Sequence, residues 1–232
     1  SSPRQVPGTT WAPIKTKSGY NCTFATKTDG TLWGCGVNEY GILGLNDTTF
    51  RSSPTQIPGT WSAEGLWAGY MHTGGIKSDG TLWMWGVFES GAGGDNVNIA
   101  TISSPKQVPG TTWKQVTGGN SYTLAVKTDG TLWSWGSGGQ GKTGHNDTTA
   151  RSSPTQVGTD TTWDKVSGGG NGGRAVKTDG TLWSWGYNRY GQLGQNSSSS
   201  PNNHGISSPT QIPGSWDDVA SNYNYTGALK GS

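Results

Sequence analysis

Apolar and polar residues alternate along much of this chain. From Thr112 the segment Thr-Trp-Lys-Gln-Val-Thr-Gly-Gly does so, as do Tyr-Thr-Leu-Ala-Val-Lys from Tyr122 and Thr-Leu-Trp-Ser-Trp-Gly from Thr131. Period two marks a half-buried β-strand, because successive Cβ atoms point to opposite faces of a sheet. Between the last two segments lie Thr128, Asp129 and Gly130. Asp-Gly between alternating runs predicts a tight hairpin, with glycine taking the positive φ at least steric cost. Pro-Thr-Gln-Val from Pro154 predicts a fourth short strand, its proline suiting an edge or a first position. No segment keeps helical periodicity over three turns.

The same pattern returns. Asp-Gly falls at Asp29-Gly30, Asp79-Gly80, Asp129-Gly130 and Asp179-Gly180, fifty residues apart. Ser-Ser-Pro begins at Ser1, Ser52, Ser103, Ser152 and Ser207, and a lone Trp follows at Trp11, Trp61, Trp113, Trp163 and Trp216. Repeats therefore run over about 1–51, 52–102, 103–151 and 152–206, with a partial fifth over 207–232. Four short strands per repeat predict an all-β fold: one β-propeller or partial propeller domain, 1–232, of four-stranded antiparallel blades. A β-sandwich does not repeat one blade-length phrase at fixed spacing.

Composition sharpens this. Only 29% of residues are hydrophobic, but 13 Trp and 8 Tyr concentrate the apolar area in large rings, against the aromatic-poor profile of disorder. Gly and Pro, at 40 and 11, supply the turns. No apolar run reaches about 18 residues, so no membrane insertion is expected. The net charge of +2, without basic clusters, argues against a nucleic-acid partner. With no initiator Met and no signal-peptide pattern, the chain reads as a mature product, a domain or a fragment. Few Lys and Glu beside abundant Ser, Thr, Asn and Gly give an extracellular or virion-like profile.

After Trp185-Gly186 the sequence reads Tyr187-Asn188-Arg189-Tyr190-Gly191-Gln192-Leu193-Gly194, with a partial copy over 36–44. This resembles the signature of the regulator of chromosome condensation repeats, and the resemblance covers essentially the whole chain. The copies at 87–94 and 137–144 depart from it. The compact phrases, Ser-Ser-Pro with Pro-Gly-Thr-Thr-Trp and Lys-Thr-Asp-Gly-Thr-Leu-Trp, look most like the phage and bacterial versions. The resemblance implies propeller blades, seven in the family norm, but no single function. Its eukaryotic founder is a chromatin-binding exchange factor for a small GTPase, and that activity requires a protruding wedge, for which no long insertion stands here. The fifth unit lacks its Thr-Leu-Trp-Ser-Trp-Gly segment. Two arrangements stay open: a near-closed ring of five blades, or part of a larger ring. Ser-Ser-Pro-Arg-Gln-Val at the N-terminus is one candidate to complete a terminal blade, and in a partial ring the exposed strand edges make a partner chain another.

No enzyme is expected. His72, His145 and His204 fall in different repeats, and no metal-ligand spacing appears, so neither metal nor cofactor is predicted. His72 stands where other repeats carry Tyr122 and Tyr225, a packing position. The recurring Asp29, Asp79, Asp129 and Asp179 fit a turn better than catalysis, which needs a residue once. The sialidase Asp-box differs in separating its Asp from its Gly, and no convergent arginine set accompanies it. Asn-Asp-Thr-Thr at Asn46 and Asn146 holds too few carboxylates for Ca²⁺ and reads as an Asx-type turn. Cys22 and Cys35 replace a Tyr/His and a Trp within one hairpin. They form either a cross-strand disulfide or, if a bulge at Gly30 shifts the register, two free thiols on opposite faces.

Repeated residues build, and varied residues are free to bind. The variable stretches follow each Trp-Gly or Cys-Gly: 37–50, 87–101, 137–150 and 187–205. Tyr40, Phe88, Tyr187, Asn188, Arg189 and Tyr190 are the candidate ligand contacts there; Leu193 is expected to pack. The expected function is a non-enzymatic module on a virion or cell surface, contacting a protein or glycan. The alternative is a structural module docking neighbouring virion or surface subunits. Trp133 and Trp135, two apart on one strand, are expected to share a face and pack against neighbouring strands or blades.

Overall fold

The computed structural model describes residues 5–6, 8–18, 21–69, 71–98, 100–196, 205–221 and 226–230. Four four-stranded antiparallel sheets follow one another. The first holds β1 (Trp11–Ser18), β2 (Cys22–Lys27), β3 (Leu32–Gly36) and β4 (Arg51–Ile57). The second holds β5 (Trp61–Ala68), β6 (His72–Lys77), β7 (Leu82–Phe88) and β8 (Ala100–Gln107). The third holds β9 (Trp113–Gly119), β10 (Tyr122–Lys127), β11 (Leu132–Gly136) and β12 (Arg151–Gln156). The fourth holds β13 (Trp163–Gly169), β14 (Gly172–Lys177), β15 (Leu182–Gly186) and β16 (Ile206–Ile212). A two-stranded sheet, β17 (Trp216–Ser221) and β18 (Thr226–Lys230), ends the array. Each sheet thus starts at a lone Trp, and the Ser-Ser-Pro strand is the outer fourth strand of the sheet before it. The N-terminal Ser-Ser-Pro lies outside the described residues. Among the described residues no helix is long and apolar enough to cross a membrane.

The cores lie between blades. The first strands of successive sheets touch in order: β1 with β5, β5 with β9, β9 with β13, β13 with β17. Phe24, Leu32 and Leu43 of the first blade pack with Trp61 and Trp85 of the second. Met84 and Phe88 pack with Val116 and Trp135, and Leu124 and Val126 with Val166 and Trp185. Trp85, Trp135 and Trp185 are fully buried. At roughly 200 Å² and ~25 cal/mol/Å², each ring contributes about 5 kcal/mol of hydrophobic stabilisation before entropy is set against it. Trp133 is half-buried against Trp113, edge to face at 6.1 Å. Both rings therefore pack as expected.

The hairpin phrase explains itself residue by residue. Gly30 N donates to Lys27 O (3.0 Å) and Lys27 N to Thr31 O (2.9 Å), closing a three-residue loop with Gly30 at φ +80°. Asp29 Oδ1 accepts from Thr31 N (2.9 Å) and Oγ1 (2.7 Å), and the Thr31 hydroxyl accepts from Trp33 Nε1 (2.8 Å). The same relay stands at Asp79, Asp129 and Asp179. Lys27 completes it: its ammonium lies 4.1 Å from the Trp33 ring centroid and 5.2 Å from that of Trp11. Lys77, Lys127 and Lys177 sit likewise between a first-strand and a third-strand Trp. Such cation–π contacts add about 0.5–2 kcal/mol each.

The loop length decides the cysteines. A three-residue loop pairs Cys22 with Gly36 and Thr23 with Cys35, so the two sulfurs point to opposite faces. A two-residue Asp-Gly loop would have set them on one face. Of the two readings, the one in which the register at Gly30 sets the cysteines on opposite faces holds and the disulfide does not: Cys22 is buried, Cys35 is half-buried, and no bond joins them. Denatured without reductant, the chain should react with two equivalents of a thiol reagent, and reductant should leave its unfolding midpoint unchanged.

The turn glycines also join blades. Gly30 O accepts from Trp61 N (2.8 Å), Gly80 O from Trp113 N (3.0 Å), Gly130 O from Trp163 N (3.0 Å) and Gly180 O from Trp216 N (2.9 Å). A Cβ on Gly130 would stand 2.0 Å from Thr161 O, whereas one on Gly158, also at positive φ, would meet nothing within 4 Å. Gly158→Ala should therefore cost only the left-handed backbone penalty, about 1 kcal/mol. Gly130→Ala, which must also displace the next blade, should cost about 3 kcal/mol or more. Denaturant midpoints of the two variants check this; equal losses would refute the inter-blade role of Gly130.

Candidate functional site

All four variable loops leave the third strand of a blade and share one face. Their sequences diverge, but their backbones do not. Gly41, Gly91, Gly141 and Gly191 have φ of +69°, +81°, +72° and +74°, and Gly44, Gly94, Gly144 and Gly194 have +71°, +74°, +79° and +67°. In each loop the second glycine's N–H donates to the first glycine's carbonyl at 3.0 Å. The spacing Gly-x-x-Gly was present in every copy, including the two that depart from the family pattern elsewhere.

The residue after the first glycine fixes the loop to the next blade. Ile42 O accepts from Trp85 Nε1 (2.7 Å) and Thr73 Oγ1 (3.2 Å), and Ala92 O from Trp135 Nε1 (2.9 Å) and Thr123 Oγ1 (3.0 Å). Lys142 O accepts from Trp185 Nε1 (3.1 Å). At Gln192 O the donors are Thr226 Oγ1 (3.2 Å) and Arg174 Nη2 (3.0 Å). Asn46, Asn96 and Asn146, all at positive φ, then donate their N–H groups to Ser103, Ser152 and Ser207 O on the next blade's side (2.7, 2.8 and 2.6 Å). Asp47 and Asp147 accept from Thr49 and Thr149 N (2.9 Å each) and pair with Arg51 and Arg151, so Asn-Asp-Thr-Thr is an Asx-type turn.

Two candidate contacts turn inward. Phe88 is 1% exposed, edge to face with His72 at 6.0 Å, and Asn188 is 2% exposed with its Oδ1 accepting from Leu193 N (3.1 Å). Neither side chain is presented to a ligand. The first fills the core and the second shapes its loop, as Asn38 does through Leu43 N (2.8 Å). Leu193 is buried, as expected. Tyr40, Arg189 and Tyr190 are exposed, and Tyr187 is half-buried. Tyr187 and Tyr190 meet edge to face at 6.2 Å, and the Arg189 guanidinium lies 5.7 Å from the Tyr190 ring. At the outer end of each loop stands a short variable tip, Glu39-Tyr40, Glu89-Ser90, Gly139-Gln140 and Arg189-Tyr190, and Phe50 and Val97 are exposed further along their loops.

The polar clusters have structural partners. Ser134 Oγ lies 2.8 Å from His145 Nε2, with Asp147 nearby, which suggests a nucleophile and base. Ser134, however, is fully buried and donates to Thr143 O (2.7 Å). In the next blade Ser184 Oγ donates to Leu193 O (2.9 Å) and accepts from Gln195 Nε2 (2.9 Å), so His145 holds a place that an amide fills equally well. Among the described residues no group of three His, Cys, Asp or Glu side chains is placed to hold a metal. Two buried cations escaped the sequence reading: Lys142, whose Nζ donates to Asn120 O (2.7 Å) and whose pKa burial pushes down to about 8, and Arg174, 3% exposed, which donates to Gly172 O (2.9 Å) and Gln192 O.

His72 does fill the packing slot, 4.8 Å from Trp67 and 3% exposed. Desolvation lowers its pKa from 6.5 to about 4. The depressed value means the neutral ring is favoured in the fold: its stabilisation is present above pH 6.5 and is lost as pH falls towards 4. The swing is on the order of 3 kcal/mol. His72→Tyr, which supplies the residue used at Tyr122, should flatten the fall in stability between pH 6.5 and 4; an unchanged pH profile would refute it.

Stacked four-stranded blades with clamped loops on one face define a β-propeller of sequence repeats. Models of the regulator of chromosome condensation (RCC1) repeat match residues 29–76, 129–175 and 179–229, and a second model of that repeat matches 113–142. The chain belongs to the RCC1 repeat family. Its fold is similar to human WBSCR16 (TM-score 0.82, 20% identity, covering 94% of this chain and 58% of that one). It is also similar to Prp20p of Saccharomyces cerevisiae, whose binding to Gsp1p and histones has been described (TM-score 0.76, 22% identity, 93% and 54% coverage). Yeast RCC1 (Prp20) bound to Kap60 matches as well (TM-score 0.73, 18% identity, 90% and 52% coverage). The chain thus spans somewhat over half the length of these structures. A sequence search of curated proteins gave no match.

Proposed function

We propose that this propeller is a non-enzymatic binding module that recognises a protein partner through the tips of its variable loops, on a virion or cell surface. One observation carries the reading. The Asp, Thr, Trp and Lys of the repeated hairpin phrase are engaged in the turn, the cation–π clamp or the blade seam, whereas the Tyr40 and Arg189-Tyr190 tips combine exposure with side chains suited to contact. Tyr and Arg at the Arg189-Tyr190 tip are the types that dominate binding energy at interfaces. Prp20p, of similar fold, binds proteins, which supports a protein ligand here.

A glycan ligand is the second reading. It is favoured by a groove of about 340 Å³ between the first two blades, lined by Trp83, Gln56, Asn46 and Ser104 among others. Tyr190 is 70% exposed, so its removal should change stability by less than about 0.5 kcal/mol. The Arg189→Ala, Tyr190→Ala double variant should nevertheless weaken binding by about 2 kcal/mol or more, roughly 30-fold. Surface-protein and glycan arrays probed with wild type and double variant test this. Ligands retained equally by both would overturn the tip assignment, and glycan binding lost on Gln56→Ala instead would favour the groove.

A further inference from the structure

The clamp lysines share their rings but not their partners. Lys77 Nζ lies 3.7 Å from the Trp83 ring centroid and 5.5 Å from that of Trp61, and Lys177 Nζ lies 4.2 Å from Trp183 and 4.6 Å from Trp163. At Lys177 the Asp160 carboxylate also binds the ammonium. Asp160 stands in the longer linker Val-Gly-Thr-Asp-Thr-Thr-Trp from Val157, where the second repeat has Ile-Pro-Gly-Thr-Trp from Ile57. Hydrogen bonding to Lys177, then to Thr162, holds the Asp160 carboxyl down to about 2, so it is ionised there. Lys27, Lys77 and Lys127 have no carboxylate partner among the described residues. The fourth repeat thus shows what an ammonium between two indoles accepts, and supplies it from its own chain.

Lys77 lines the groove of about 340 Å³ between the first two blades, together with Trp83, Gln56, Asn46 and Ser104. The side chains of Gln56, Asn46 and Ser104 make no hydrogen bond among the described residues. One seam further on, the matching positions are spent internally. Asn96 Oδ1 accepts from Ser152 Oγ (3.0 Å), and Asp95, in the place of Leu45, pairs with Lys106 (2.5 Å). The first seam therefore keeps a cation, two amides and a hydroxyl uncommitted beside one indole. We infer that this groove binds the carboxylate of an acidic sugar, a uronate or sialate unit of a glycan, on Lys77 as Lys177 binds Asp160. A charge-assisted bond to the ammonium fixes the acid. The amides and the hydroxyl suit the sugar's hydroxyls, and Trp83 offers apolar surface to its C–H groups. An extended acidic peptide fits less well, because Pro58 and Pro105 line the groove and remove backbone N–H groups with which a strand would pair. This inference names the ligand class of the groove; it rests on the second reading above and not on the loop tips.

The test probes an array of uronate and sialate oligosaccharides with the 232-residue chain, before and after the sugar carboxyls are reduced to alcohols. Binding is expected on the acidic array and should weaken at least tenfold on reduction; the uronate and sialate arms show which acid is read. Lys77→Met, which keeps a stem over the indoles and loses the charge, should weaken acidic-sugar binding at least tenfold with near-ultraviolet circular dichroism unchanged. Gln56→Ala, at an exposed site, should weaken it at least threefold and keeps the test open if Lys77→Met does not fold. Binding that survives reduction yet falls in Gln56→Ala would overturn the inference alone and leave the groove to a neutral glycan. No binding to either array would overturn the inference and the second reading together. Displacement of the sugar by an oligoglutamate peptide at equal concentration would also overturn it and make an acidic peptide the occupant.

Discussion

A backbone carbonyl in each of the first three variable loops, held by the next blade's indole, is the contact on which this fold turns. Ile42, Ala92 and Lys142 each accept from the Trp 43 residues downstream. These bonds are buried, where an unmet carbonyl or indole N–H costs about 1–3 kcal/mol. Each of them also sets the position of a ring that fills the seam. On the opposite face the turn glycine's carbonyl accepts from the next lone Trp's N–H. Two stitches at opposite ends of a seam fix both separation and tilt, so each blade dictates the placement of the next. The repetition of one ten-residue phrase follows: it carries the turn, the clamp lysine and the seam Trp together.

The same constraint confines variation. Within about ten residues each of the first three loops must place two glycines at positive φ, one carbonyl under an indole and an asparagine against the next blade's outer strand. Positions 39–40, 89–90, 139–140 and 189–190 come just before the first of these anchors and point outward, apart from partly covered Ser90 and Gln140. Tip chemistry can therefore change without moving a blade. Glu39 and Glu89 contrast with Arg189, so the face offers opposite charges at different stations around the array. That is the property expected of recognition built on a rigid frame.

Period-two alternation and the fifty-residue repeat made the strands, the hairpins and the blade architecture legible. What the sequence left open was the count across the turn. Asp-Gly is compatible with two-residue and three-residue loops, and only the glycine at the bulge position distinguishes them, which moves Cys35 to the other face from Cys22. Phe88 and Asn188 misled because they occupy variable stretches while pointing inward; variability marked the loop, not the side-chain direction. The clamp lysines were visible as invariant in the phrase, but a charge beside a turn does not announce that it lies between two rings. Lys142 was hidden for another reason: its backbone carbonyl serves the seam while its side chain is an individual departure with no repeat to compare.

At the last described seam the loop carbonyl is met by donors other than an indole. At Gln192 O the threonine donor is kept, in Thr226, while the indole is replaced by the Arg174 guanidinium. Arg174 occupies a position held by Phe24, Gly74 and Leu124 in the other blades, so an apolar station has become cationic. Burying that charge is costly, and no carboxylate ion pair involves it among the described residues; its donors go to two carbonyls instead. The pKa of Arg174 is lowered by burial, which is the direction that cost dictates. The core at this seam reduces to Val176, Leu182 and Val219 with partly covered neighbours. Arg174 thus answers the cost of its burial within its own blade, with two backbone carbonyls taking its donors in place of a carboxylate.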